Sequence, residues 1–230
     1  MTRLSAAPRR AWLWFALGAA LLSVVFAQAQ ERKPPDADAG AREETGRIAE
    51  GAVRPIDSKP LAEVAREGRR LFEEGRVGPE ATLDVTLTAG RNEDGTLDLA
   101  AAQFSGSGDE TLLALARRFF VAVSQSRVLS VLDGAKGVSL GLGLDRQSAS
   151  LRVTSELPSE GDAAKYAAGL GAMMAVGRRA KQGTPEGALY EHVSFASDGK
   201  VFKMSFEMPR GEAGRAVAEL LAQEATRGPQ

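Results

Sequence analysis

The chain has 230 residues, 43% of them hydrophobic and 26% charged, with a formal net charge of −1 and no cysteine. That length suits one large domain or two small ones, and the near-neutral balance lacks the basic excess that nucleic-acid binding calls for. The absence of cysteine excludes disulfides, thiolate metal sites and cysteine nucleophiles together.

Arg3, Arg9 and Arg10 form a basic start, and Ala11-Trp12-Leu13-Trp14-Phe15 opens an apolar run that lasts to Ala27. Ala27-Gln28-Ala29 puts small residues at the two positions signal peptidase reads. Residues 1–29 are therefore expected to be a secretory signal peptide, with Gln30 the first mature residue. The rival reading is an uncleaved N-terminal membrane anchor, because the uncharged stretch Ala11–Gln30 is close to the roughly 20 residues a span needs. Either way the rest of the chain is expected outside the cytoplasm, periplasmic or extracellular, with the three arginines kept inside. Without residues 1–29, 26 basic residues stand against 30 acidic ones, a net charge of −4. Residues 30–59 are polar and charged, carry Pro34, Pro35 and Pro55, and are expected to form a disordered tether.

From Pro60 to about Gly75 the pattern is helical, with Leu61, Val64, Ala65, Gly68, Leu71 and Phe72 on one face. A hairpin follows. Leu83, Val85 and Leu87 alternate with Asp84, Thr86 and Thr88, Asn92-Glu93-Asp94-Gly95 turns, and Leu97 and Leu99 begin the return. The return strand drifts out of phase by Phe104, which predicts a bulge or an early end. Ser105-Gly106-Ser107-Gly108-Asp109-Glu110 then leads into a helix expected to run to about Leu132. Ser107 and Glu110 have capping-box spacing. Two acidic residues at the helix start, and no Gly-Lys-Ser/Thr ending, argue against a phosphate loop.

The central hairpin spans Gly137–Leu157. Val138, Leu140, Leu142 and Leu144 alternate with Ser139, Gly141 and Gly143, and Leu151, Val153 and Leu157 with Arg152, Thr154 and Glu156, around the turn Asp145–Ser148. A helix over about Glu160–Lys181 is rich in alanine and glycine, which suggests close approach to a neighbour. Thr184-Pro185 starts one short further turn. The last hairpin, Glu191–Pro209, sets Val193, Phe195, Phe202, Met204, Phe206 and Met208 against Lys203, Ser205 and Glu207. A final helix over about Gly211–Ala225 carries Val217, Leu220 and Leu221, and residues 226–230 should fray.

The first inward residues of the three hairpins, Leu83, Val138 and Val193, are 55 positions apart in each case. This reads as an internal repeat of pattern. The expected fold class is α+β, an antiparallel sheet built from three β-hairpin–helix units with the helices packed on one face. The expected division is one unit at residues 60–145 and a second, continuous with it, at 146–225; two adjacent subdomains are the alternative.

Leu83–Leu144 resembles the C-terminal domain of the TonB family of periplasmic energy transducers. The match is strand, Gly-turn, strand, Phe104-Ser105-Gly106, a helix beginning near Asp109, then a closing strand at Val138. The apolar N-terminal segment and proline-containing spacer match in arrangement. The resemblance implies a cell-envelope domain that binds a partner through strand pairing.

No catalytic, cofactor-binding or metal-ligating residues emerge. His192 and Ser194 would share the polar face of one strand with no nucleophile elbow. Met173, Met174, Met204 and Met208 fall on inward stripes and read as core. The better candidate is the polar face of the sheet. There Gly141 and Gly143 leave bare backbone beside Arg152 and Thr154, which a partner chain or ligand could approach. The alternative is that this face is solvated or covered by the Pro60–Gly75 helix. The reading that follows is a secreted or membrane-tethered envelope protein of TonB-like fold, a non-catalytic binding or scaffold module with an envelope-protein partner. A TonB-type transducer anchored in the inner membrane, or a periplasmic enzyme using acidic residues, are the alternatives.

Overall fold

The computed structural model describes residues 56–78, 80–216 and 219. The expected signal, most of the tether, Val217, Leu220, Leu221 and the tail lie outside the described residues. The elements are α1 (Lys59–Glu73), β1 (Leu83–Arg91), β2 (Leu97–Gly108), α2 (Glu110–Ser126), a 3-10 turn (Val128–Val131), β3 (Gly137–Leu144), β4 (Ser148–Glu156), α3 (Glu160–Ala180), α4 (Pro185–Glu191), β5 (Val193–Asp198) and β6 (Val201–Pro209). A further helix, α5, begins at Arg210 and is described through residue 216. Among the described residues no helix is long and apolar enough to cross a membrane.

The period-two alternation becomes one antiparallel six-stranded sheet in the order β2-β1-β3-β4-β6-β5. Rows of apolar side chains cross it in register. Leu87, Leu140, Val153 and Met204 form one row, and Val85, Leu142, Leu151, Phe206 and Val193 the next. Leu140, Phe202 and Phe206 are at most 1% exposed. Helices cover only this face: α2 contacts β1 and β2, α3 contacts β5 and β6, and α1 lies on α2. The α+β class with helices on one face is thus what forms. β3 and β4 are hairpin partners, so the sheet is continuous across residues 145 and 146.

The 55-residue spacing does not produce three equivalent units. Instead β1-β2-α2-β3 is followed by β4-α3-α4-β5-β6, a mirrored connectivity. Helical crossovers join β2 to β3 over β1, and β4 to β5 over β6. Both progress the same way across the sheet on the same face, but between strand pairs running in opposite directions. The two crossovers therefore have opposite hands, one of them the uncommon left-handed kind.

Local chemistry corrects several expectations. β2 does not end early: it runs to Gly108 because β1 supplies ladder partners as far as Leu83–Gly108. The expected bulge is present, at the register shift between Thr88 and Gly90. Ser107 therefore lies in the strand, opposite Asp84, and the α2 cap is Asp109, which accepts from Thr111 N at 2.9 Å and Leu112 N at 3.0 Å. α2 stops at Ser126, short of Leu132, because Arg127 takes the left-handed conformation with φ 54° and the chain continues as the 3-10 turn. In α3 only Ala163, Leu170, Met174 and Gly177 are buried. A Cβ added at Gly169 or Gly171 would meet nothing within 4 Å, so close approach does not explain those glycines. Ser155 takes an inward position on β4, where its hydroxyl donates to the Gly137 carbonyl at 2.7 Å.

Candidate functional site

The face opposite the helices carries three polar rows. One is Ser105, Thr86, Gly141, Arg152, Ser205 and Ser194, a complete line across all six strands. Beside it run Gln103, Thr88, Ser139, Thr154, Lys203 and Ala196. On the other side Ser107, Asp84, Gly143, Ser150 and Glu207 end at His192, whose carbonyl accepts from Glu207 N at 3.4 Å. These positions alternate with the buried rows because successive strand residues point to opposite faces. α1 packs on α2 and leaves this face open.

Gly141, Gly143, Arg152 and Thr154, singled out from sequence, are brought together here. Gly141 lies opposite Arg152 and Ser139 opposite Thr154. The missing side chains make a shallow groove of about 170 Å³, walled by Asp84 and Thr86 on β1 and by Ser150, Arg152 and Thr154 on β4. Asp84, Thr86, Ser139 and Ser150 escaped the sequence reading. They join the groove because β1 pairs with β3, placing Asp84 beside Gly143 and Thr86 beside Gly141. That pairing joins strands about fifty residues apart. Only the shared parity of these residues within their own strands could have pointed to them.

The two glycines are not equivalent. A Cβ on Gly141 would sit 3.7 Å from Arg152 Cβ and 3.9 Å from Thr86 Oγ1, ordinary contact distances. A Cβ on Gly143 would come within 2.5 Å of Ser150 Oγ. The groove over Gly141 is therefore unfilled space that a side chain would tolerate.

Neighbouring polar groups are mostly matched among themselves. Ser194 and Ser205 share a 2.7 Å hydrogen bond, and Thr88 Oγ1 lies 3.3 Å from Ser139 Oγ. Lys203 Nζ contacts Asp198 Oδ2 at 2.7 Å, which holds the Asp198 carboxyl below its usual value. His192 caps the end of α4 and precedes β5, with Nδ1 2.8 Å from the Glu207 carbonyl. It therefore lies one residue before the strand that carries Ser194, not on it. Met174, Met204 and Met208 are buried in the core and Met173 packs against it. Among the described residues no three His, Cys, Asp or Glu side chains gather as a metal-binding group.

A second concavity lies between α1 and α2. Its larger lobe, about 460 Å³, is lined by Glu63, Arg66, Glu67, Arg70 and Arg118. Two of its three arginines are paired with carboxylates: Arg118 with Glu67, and Arg70, whose Nε lies 3.6 Å from Glu74.

No family model, curated protein or solved structure matches this chain.

Proposed function

We propose that the chain is a secreted or membrane-tethered cell-envelope protein of TonB-like fold, a non-catalytic binding or scaffold module that engages an envelope-protein partner. The observation that carries this reading is the open polar sheet face, with its glycine-floored groove between Asp84 and Arg152. A cavity of about 170 Å³ falls below the roughly 300–1,000 Å³ that encloses a small-molecule ligand. The face as a whole, six strands wide at about 4.8 Å each and three rows deep at about 6.8 Å each, covers roughly 590 Å². That is over half of the ~800 Å² each partner commonly contributes to a protein–protein interface. β2 adds a twelve-residue strand at the sheet edge without proline or lysine. Such an edge suits the strand pairing that the TonB resemblance implies.

The test is a pull-down from envelope extracts with the wild-type chain and with Gly141→Val, whose side chain fills the groove. A partner retained by wild type and lost from the variant supports the reading; no partner, or equal capture by both, overturns it. N-terminal sequencing of the exported protein decides between signal and anchor: a start at Gln30 rules out an anchored transducer.

A further inference from the structure

The open face holds opposite charges that are not matched to each other. Asp84 and Arg152 are both exposed and flank the groove from β1 and β4. Their main chains pair within the sheet, but neither side chain makes a hydrogen bond or ion pair with any described residue. The Lys203 ammonium in the neighbouring row, by contrast, is already held by Asp198 at 2.7 Å.

We infer that this face is occupied by a segment of a partner protein that brings an acidic side chain to Arg152 and a basic side chain to Asp84. The inference rests on the open face being the binding surface. Gly141 and Gly143 lie in ladders with both β1 and β4-side neighbours, so their main-chain groups are committed within the sheet. The bare floor offers space rather than backbone donors. Recognition must then come from side chains: Arg152 and Asp84 for charge, and the hydroxyls of Thr86, Ser139, Ser150 and Thr154 for neutral hydrogen bonds. A guanidinium presents paired donors that suit a carboxylate, and a free carboxylate accepts from an ammonium or guanidinium.

Register also fixes the spacing. Asp84 and Arg152 are separated by two strand steps and by two residues along the strand direction. At about 4.8 Å per strand and about 3.4 Å per residue their Cα atoms are roughly 12 Å apart. An extended chain places same-face residues four positions apart at about 13 Å. The fitting occupant is therefore an extended segment with an acidic and a basic residue at i and i+4.

The test uses the ¹⁵N-labelled chain and synthetic twelve-residue Thr/Ser peptides. One peptide carries Glu and Lys four positions apart, and its control carries Gln at both. The Glu/Lys peptide should shift the Gly141 and Gly143 amides and the Arg152 Nε–H saturably. Its affinity should fall about three- to fivefold on Arg152→Gln or on Asp84→Asn, the scale of one exposed charge pair, and by about the product of the two, roughly ten- to twentyfold, on change to the control peptide. Equal binding of the two peptides, or indifference to Arg152→Gln, overturns the inference. So does reproduction of the same shifts by free glutamate and lysine, or by self-association of the chain. In the envelope pull-down, a partner lost with Gly141→Val yet captured in undiminished amount by Arg152→Gln and Asp84→Asn would overturn the charge assignment and leave the binding face standing. Capture insensitive to Gly141→Val overturns both.

Discussion

Gly141 and Gly143 share a strand, a face and a neighbourhood, yet a methyl group separates them. Alanine at position 141 enters open space at ordinary contact distance, whereas alanine at 143 meets Ser150 Oγ at 2.5 Å. Glycine in a strand interior costs about 0.5–1 kcal/mol relative to alanine. Gly141→Ala should therefore raise stability by about that amount, read as a higher midpoint of denaturant unfolding. Gly143→Ala should gain less or lose, and Ser150→Ala in the same chain should restore the gain. A groove whose floor could be filled with a gain in stability is a site where space is kept at a cost. Tyr190 gives a second prediction at this scale. It is 2% exposed, its hydroxyl has no hydrogen-bond partner among the described residues, and burial pushes it up to about 12 from an ordinary 10.0. A raised value means that the unfolded chain ionises first. Stability should be intact below pH 10 and decline between pH 10 and 12. Tyr190→Phe should remove that share of the alkaline loss and be neutral or stabilising at pH 7, measured as the difference between the two unfolding curves against pH.

The elements end where specific side chains end them. Asp109 accepts from two early amides of α2, so Asp109→Ala should cost about 1 kcal/mol of global stability. Ser107→Ala, in the strand, should cost much less. The reverse outcome would restore the Ser107–Glu110 cap that the spacing suggested. At the other end, Arg127 sits at φ 54°, where a side chain other than glycine is strained by about 1 kcal/mol. Arg127→Gly should recover about that much in chemical denaturation. The turn between β3 and β4 is held by Asp145, which accepts from Gln147 N and Ser148 N at 2.6 Å each. Those bonds keep its carboxyl below the ordinary 3.8.

At the scale of the whole molecule, one apolar layer joins both halves. Leu140 on β3 and Val153 on β4 face each other, and Phe206 lies beside Leu151. With the β3–β4 hairpin shared between residues 60–145 and 146–225, the two stretches should unfold together. A single calorimetric transition is expected, and Phe206→Ala should lower it as one event at a cost of about 3–5 kcal/mol. Two resolved transitions, with only one moved by the substitution, would show that the halves fold separately.

The alternation of Val138, Leu140, Leu142 and Leu144 with Ser139, Gly141 and Gly143 already dictated a two-sided ribbon, and the similar ribbons on either side dictated an α+β layer. Those are local consequences of period-two geometry, readable without any partner. Gly141 and Arg152 could be paired because their strands meet through a short turn whose length sets the register. Asp84 and Thr86 could not, because the β1–β3 contact spans about fifty residues and is chosen by burial of whole rows. For the same reason the length of β2, the cap at Asp109 and the mirrored order of the two halves were invisible in the string. Local patterning determined which side of each strand meets water; only the assembled sheet decided which of those watered side chains stand together.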